Sequence, residues 1–176
     1  VTDAPEFIAS YEALATIEAE VGEFPSAVRH LQEANARAGF SIGRFRRTGE
    51  LAMRSGALGL AEATLDRLLG RVGSSELAEG ADYVAMVDVL AARGKLERAG
   101  QVARELQRTH SYCPDSNVLM PLVAYRRRVD EGADPTAALE ALLAALEKAG
   151  PEVSVETQLQ VLEACLAQGM RREALA

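Results

Sequence analysis

Apolar residues recur along this chain at intervals of three and four, the spacing that places side chains on one face of an α-helix. Phe7, Tyr11 and Leu14 form one such stripe, and Tyr83 and Val87 belong to another. Ala and Leu dominate while β-branched residues are few, which favours helix over strand. We therefore expect ten helices, at 4–21, 24–38, 41–55, 58–72, 79–93, 96–110, 116–131, 135–149, 153–168 and one that begins at 171.

A short phrase of the form Gly-x-x-x-x-Ala recurs between these helices. Its glycines are separated by 34, 38, 38 and 37 residues. Glycine suits a place where one helix ends with positive φ, and a small alanine lets the next helix approach closely. Phe24, Leu58 and Leu96 anchor the first three turns, whereas Asp134 and Pro135 predict an N-cap and a first helical residue in the fourth. The five pairs are Gly22–Ala27, Gly56–Ala61, Gly94–Ala99, Gly132–Ala137 and Gly169–Ala174.

Each helical hairpin has an apolar face that it cannot bury alone, so neighbouring hairpins must stack on a continuous core. We expect an all-α protein, a right-handed superhelix of about five hairpins forming a single domain over 1–176. The first helix of each pair should line a concave side and the second a convex back. The expected repeats are 4–39, 40–75, 76–111, 112–150 and 151–176.

The composition of the chain changes the predicted fold little but suggests a cellular compartment. Apolar residues make up 48% and charged residues 26%, so the chain can bury a core and stay in solution. Two cysteines make no disulfide framework and fit a reducing cytoplasm. No apolar run approaches a membrane span, and no signal peptide opens the chain. The first residue is Val and the last helix stops at 176, from which we expect a fragment of a longer protein.

A helix–turn–helix with Gly, then an apolar residue, then Ala resembles the tetratricopeptide repeat (TPR). The first unit carries the pattern best, whereas later units are spaced by 38 residues and have Pro121 where an aromatic is usual. The resemblance implies an α-solenoid that binds other proteins. The matching residues of the first unit are Tyr11, Leu14, Gly22, Phe24, Ala27, Leu31 and Ala34.

Two segments support a narrower resemblance. "FRRTGELAMRSGALGLAEATLDRLL" (45–69) and "ADYVAMVDVLAARGKLERAGQVARELQ" (81–107) are similar to the TPR-type output region of bacterial response regulators. In that family a receiver domain precedes the helical repeats. The chain itself carries no receiver pattern, so the resemblance implies phosphorylation control only for a part outside it.

Catalytic and metal-binding motifs are not found in the sequence. There is no phosphate-binding glycine loop, no HExxH, no GxSxG and no paired-Cys spacing. His110 and Cys113 offer two ligands, whereas a structural zinc site needs about four. We therefore expect no enzyme, no cofactor and no metal; the simpler interpretation is a loop histidine and a half-buried thiol.

Charge is uneven along the chain, whose net charge is −7. Residues 1–39 have two basic and seven acidic groups, a net of −5, and residues 40–75 have six basic and three acidic groups, a net of +3. Such blocks could orient an ionic partner or a second copy of the chain as a homodimer, or they could be ordinary surface variation. Arg126, Arg127 and Arg128 span too wide an arc of a helix to face one groove, so we expect no direct nucleic-acid binding.

These observations favour a protein–protein interaction scaffold, used as the output or adaptor domain of a bacterial two-component response regulator. The alternative is a helical domain that senses a small ligand for a bacterial transcription regulator. In the first hypothesis a protein or peptide docks on the concave side, with an ionic mouth in the first two repeats and an apolar floor beyond. In the other interpretation the apolar residues pack against the adjacent hairpin. The candidate binding residues, six or ten positions before a turn glycine, are Glu12, Thr16, Arg46, Glu50, Val84, Asp88, Leu122 and Arg126.

Overall fold

The structure is a computed structural model that describes residues 5–73 and 75–169, with side chains from residue 7 onward. Within these ranges it contains nine α-helices and no strand, and each helix begins and ends within two residues of its expected bounds. The expected tenth helix, from 171, lies outside the described residues. The helices are α1 (Pro5–Glu20), α2 (Phe24–Arg37), α3 (Ile42–Arg54), α4 (Leu58–Val72), α5 (Gly80–Ala92), α6 (Leu96–Thr109), α7 (Asp115–Asp130), α8 (Thr136–Ala149) and α9 (Val155–Ala167).

The repeated glycines end the first helix of each hairpin, as the sequence predicts. Gly22, Gly56, Gly94, Gly132 and Gly169 all have positive φ, between 65° and 83°. At Gly56 the amide donates to the carbonyl of Met53 (3.0 Å), and the Ala57 amide donates to that of Ala52 (2.9 Å). This pair of bonds is a Schellman motif, which satisfies carbonyls at the helix end. The same two bonds recur at the turns after α1, α5 and α7.

The alanine after each glycine is buried in three hairpins and not in the fourth. Ala27, Ala61 and Ala99 are 0% exposed, whereas Ala137 is exposed, which corrects the expectation for the fourth unit. The reason is a longer turn: α2, α4 and α6 begin two residues after the glycine, but α8 begins four residues after Gly132. The buried positions of α8 shift accordingly. The equivalent of Ala137 in the fifth repeat, Ala174, lies outside the described residues.

The start of α8 also differs slightly from the prediction. The helix begins at Thr136, so Pro135 occupies the capping position rather than the first helical one. Asp134 still supplies the capping oxygen, because its carboxylate accepts hydrogen bonds from the Thr136 amide (3.0 Å) and hydroxyl (2.7 Å). The hydrogen bonds from Thr136 lower the pKa of the Asp134 carboxyl. Asp134 caps the helix as predicted, but the first helical residue is Thr136 instead of Pro135.

The chain divides into two compact units, Val1–Ala78 and Glu79–Ala176. Unit 1 contains the hairpins α1–α2 and α3–α4, and unit 2 contains α5–α6, α7–α8 and the helix α9. Each unit has an aliphatic core at the helix contacts. Leu51 and Leu68 are 0% exposed in unit 1, and Leu90 and Leu119 are 0% exposed in unit 2. The interpretation of the chain as a single domain stays a prediction.

Candidate functional site

Unit 1 has a cleft between the first helices of its two hairpins. Its volume is about 340 Å³, and α1 and α3 supply most of its walls. Charged and hydroxyl side chains surround a small apolar floor formed by Ala15 and Leu31. Two of the eight predicted binding residues, Glu12 and Thr16, lie in this cleft. The remaining lining residues are Ser41, Gly43, Arg44 and Arg47 of the α3 region.

Arg44 holds the cleft together from inside the fold. Its side chain is only 7% exposed. Nη1 donates to Glu12 Oε1 at 2.7 Å, Nη2 to the Gly39 carbonyl at 2.7 Å, and Nε to Asn35 Oδ1 at 2.8 Å. The guanidinium fork thus links α1, α2 and the loop before α3, which a Lys ammonium could not do with the same geometry. Because its bonds fix the side chain, the cleft wall is preorganised.

Local sequence explains why Arg44 points inward. Ser41 is the N-cap of α3, and its hydroxyl accepts the Arg44 amide at 3.4 Å. Arg44 and Thr48 are one turn apart on the buried side of α3, and the Thr48 hydroxyl donates to the Arg44 carbonyl at 2.7 Å. Asn35 completes the network by donating to the Thr48 hydroxyl at 3.0 Å.

The outer rim of the cleft carries exposed ion pairs. Arg47 Nη1 lies 2.9 Å from Glu50 Oε2, and Arg54 Nη1 lies 3.7 Å from Glu50 Oε1. Glu50, another predicted residue, therefore neighbours the cleft without lining it. Arg46 does not line it: its Nη2 donates to the Leu77 carbonyl at 3.0 Å. Besides the buried Arg44, the basic residue that lines the cleft is Arg47, one position further along.

In unit 2 the corresponding first helices are joined by a polar chain. Asp88 of α5 accepts a hydrogen bond from Gln160 Nε2 of α9 at 2.7 Å. Gln160 Oε1 in turn accepts from Arg126 Nη2 of α7 at 2.9 Å. The structure thus brings together two predicted residues, Asp88 and Arg126, through an amide that the sequence analysis did not single out.

Burial raises the pKa of the Asp88 carboxyl to about 6 from its ordinary 3.8. The hydrogen bond from Gln160 and the charge of Arg126 lower the pKa, and the negative charges of Asp115 and Glu156 raise it further. Loss of hydration is the largest of these causes, as expected for a carboxylate with a neutral hydrogen-bond partner. Asp88 therefore lies on the first-helix side of unit 2 and has a carboxyl whose pKa, about 6, is close to neutral pH.

The apolar floor expected from Val84 and Leu122 is wrong. Val84 is 8% exposed and Leu122 is 1% exposed, so both belong to the core of unit 2. The other interpretation, in which they pack against neighbouring helices, is the one that the structure supports. α5 packs on α6 and α7, and α7 packs on α5, α6, α8 and α9. The sequence offset alone could not distinguish a groove from such a contact.

His110 and Cys113 are the two possible metal ligands that the sequence offers. His110 is 7% exposed and its Nδ1 lies 2.9 Å from the Tyr112 hydroxyl, while its ring contacts the Tyr83 ring at a tilt of 51°. Burial raises the pKa of the half-buried Cys113 thiol, which disfavours the thiolate. Among the described residues, no group of three or more His, Cys, Asp or Glu side chains could hold a metal ion. No described helix is long and apolar enough to cross a bilayer.

Comparison with known proteins gives a fold. No protein-family model and no curated protein sequence matches the chain. Solved structures do match. MamA 41-end from Desulfovibrio magneticus RS-1 superposes with a TM-score of 0.63 at 16% identity, over 96% of this chain and 89% of that one.

Two further structures are described as TPR proteins. TTC0263 from Thermus thermophilus superposes with a TM-score of 0.62 at 17% identity, over 96% of this chain and 86% of that one. YrrB, "a TPR protein with an unusual peptide-binding site", gives 0.58 at 13% identity, over 94% and 79%. The fold is the TPR-like helical repeat. At these identities the likeness shows the fold alone.

Proposed function

We propose that this chain is a protein-interaction scaffold that binds a peptide or a helix of a partner protein. The observation that carries the proposal is the cleft between α1 and α3, where the buried Arg44 holds the Glu12 carboxylate of the cleft wall in place. A preformed surface lowers the cost of ordering on binding. The description of YrrB as a peptide-binding TPR protein adds support from a structural neighbour.

The lining of the cleft defines the chemistry of the partner. Glu12 and Thr16 line the α1 side, and Arg47 lines the α3 side. Leu31 and Ala15 supply a small apolar floor. This arrangement suits a mixed-charge segment that places a basic group near α1, an acidic group near α3 and a small apolar side chain between them.

We place this scaffold in a cytoplasmic bacterial two-component system, as the output or adaptor domain of a response regulator. The segments 45–69 and 81–107 carry that part of the proposal through their resemblance to such output regions. A second candidate, a domain that senses a small effector for a transcription regulator, is favoured by the cleft volume. At about 340 Å³ the cleft falls at the lower end of the range for small-molecule sites.

The proposal is tested by selecting peptides from a displayed random library on the full chain and measuring their affinity by calorimetry. Arg47→Glu should weaken a selected peptide at least tenfold at low salt, where exposed charges act most strongly. Arg104→Glu makes the same charge change on the exposed side of α6 and should leave the affinity unchanged. Equal effects of the two variants would contradict the proposal. Failure to select any peptide, with a co-purifying metabolite in native mass spectra, would favour the small-effector alternative.

A further inference from the structure

A second candidate surface lies on the hairpin α3–α4 of unit 1 and shares no residue with the cleft. Two exposed arginines of α4 lie over phenyl rings of α3 and of the loop before it. The guanidinium carbon of Arg67 is 5.1 Å from the centroid of the Phe45 ring, and that of Arg71 is 5.7 Å from the centroid of the Phe40 ring. The two ring centroids are 4.9 Å apart. These four residues are called the arginine–phenylalanine stack.

The sequence of α4 places two like charges side by side in this stack. Arg67 and Arg71 are one helical turn apart, a spacing at which like charges repel. α4 has no acidic residue three or four positions from either arginine, so neither can form the usual ion pair within its own helix. The rings hold both guanidiniums in place and leave their edge N–H groups available to an anion. The stack therefore has the chemistry of an anion-binding surface.

The hairpins α1–α2 and α5–α6 show which group normally occupies this position. Glu33 and Glu105 lie eleven residues after their turn glycines, as Arg67 does. The Glu33 carboxylate accepts a hydrogen bond from Arg37 Nε at 3.3 Å. The Glu105 carboxylate accepts two hydrogen bonds from Arg108, at 2.6 and 3.2 Å. In α4 an arginine replaces the glutamate that neutralises the neighbouring arginine in the other two hairpins.

This edge of a hairpin stays open even where the next hairpin stacks on it. α2 packs on α3, and α6 packs on α7. The side chains of Glu33 and Arg37 are nevertheless 55% and 43% exposed, and that of Arg108 is 72% exposed. Stacking of the repeats therefore does not cover this position, and a ligand of the arginine–phenylalanine stack must come from elsewhere.

We propose that the arginine–phenylalanine stack binds an acidic segment of a partner protein through two carboxylates. The carboxylate is the group that the other two hairpins supply at this position from their own helix, and arginine binds it with two parallel hydrogen bonds. Residues one turn apart have Cβ atoms about 6 Å apart, so the two arginines suit glutamates at i and i+4 of a partner helix. The net charge of +3 over residues 40–75 adds attraction for such a segment. The proposal is separate from the function assigned to the cleft, because the two surfaces share no residue.

The experiment uses a fluorescent alanine-based helical peptide with glutamate pairs at i and i+4, and a control peptide with glutamine in their place. Titration with the full chain at low salt, followed by anisotropy, should show saturable binding of the glutamate peptide alone. Arg67→Glu gives Arg71 the kind of intrahelical partner that Arg37 has, and should weaken binding at least tenfold without lowering the melting temperature. Arg104→Glu makes the same charge change on the exposed side of α6 and should leave the affinity unchanged. Arg47→Glu should also leave it unchanged, which separates the stack from the cleft.

Other outcomes overturn the proposal. Absence of binding, or equal binding of the glutamine peptide, would remove the carboxylates from the interaction. Equal effects of Arg67→Glu and Arg104→Glu would reduce it to net charge. Binding of a phosphoserine peptide but not of the glutamate peptide would make the ligand a phosphoryl group. Self-association that Arg67→Glu abolishes, seen by sedimentation without peptide binding, would assign the two arginines to carboxylates of a second copy.

Discussion

Arg44 in unit 1 and Asp88 in unit 2 are both charged side chains that a first helix takes away from water, but the fold accommodates them differently. Arg44 has a carboxylate, a carbonyl and an amide oxygen as partners within 2.8 Å. Asp88 has one amide donor, and the nearby cation Arg126 bonds the other end of that amide. A buried charge with matched partners fixes structure, whereas one with a neutral partner remains costly and titrates near neutral pH. The two sites should therefore respond in opposite directions to removal of the charge.

Removing the charge of Arg44, which has matched partners, should have the largest effect on the free energy of unfolding. Arg44→Met leaves the Gly39 carbonyl and the Asn35 side chain without their donors, at a cost of about 3 kcal/mol in the free energy of unfolding. Urea denaturation followed by circular dichroism measures this cost. Arg47→Met, on the exposed rim of the same helix, is the control and should stay within about 0.5 kcal/mol of wild type. Similar losses for both variants would mean that the Arg44 network does not hold unit 1 together.

The second prediction compares a buried alanine and an exposed alanine in the second helices of two hairpins. Ala61 is 0% exposed in α4, whereas Ala137, at the same offset from its glycine, is exposed in α8. Ala61→Leu should overpack the hairpin and cost about 2 kcal/mol. Ala137→Leu should be close to neutral in the same denaturation assay. If the two leucines cost the same, the shifted register of the fourth hairpin is wrong.

Removing the poorly matched charge should stabilise the protein. Because folding raises the pKa of Asp88 from 3.8 to about 6, its contribution to stability is fully present below pH 3.8 and is lost as the pH rises through 6. The full pKa shift corresponds to about 3 kcal/mol, but Asp88 is only half-buried and solvent screens its charge. Asp88→Asn should therefore raise the free energy of unfolding at pH 8 by about 1 kcal/mol and have little effect near pH 4. Parallel denaturation series at the two pH values measure the difference.

Asp130→Asn, on the exposed end of α7, provides the matched control for that charge removal. It should leave the pH dependence of stability as in wild type. An Asp88→Asn protein that is less stable than wild type at pH 8 would show that Asp88 is held as a well-paired carboxylate.

Reversal of an exposed rim charge should have the smallest effect on stability. Glu50 pairs with Arg47 and Arg54 on the surface of α3, where such pairs contribute little. Glu50→Lys should change the melting temperature only slightly, yet it should alter the salt dependence of peptide binding at the neighbouring cleft. A large drop in melting temperature would mean that the rim is structural.

The fold could be predicted from sequence because repeated turns and helical stripes are local signals. Gly22 and Gly56 mark helix ends by backbone geometry, and Ala27 and Ala61 mark close helix contacts by size. The fourth hairpin does not bury Ala137 as predicted, because two extra residues in its turn shift the register of α8. That shift depends on how α8 packs and cannot be predicted from the Gly-x-x-x-x-Ala spacing.

The residues of the candidate site were harder to predict from the sequence than the fold was. Offsets from the glycine found Glu12 and Thr16, but they selected Arg46 instead of Arg47, which lines the cleft together with Arg44. Arg44 carried a signal of its own, since it shares the buried side of α3 with Thr48, where a charged residue needs a partner. Gln160 gave no comparable signal, because an amide becomes a bridge only when α9 packs beside α5 and α7.

The central claim is that the cleft between α1 and α3 binds a partner segment, and chemical-shift mapping tests it most directly. A peptide selected on the full chain is titrated into 15N-labelled protein, and amide shifts are followed residue by residue. The account predicts that the largest perturbations lie at Thr16, Arg44 and Arg47, with small ones on α4. Perturbations confined to α4 or to unit 2, with the amides of the cleft unmoved at saturation, would contradict it.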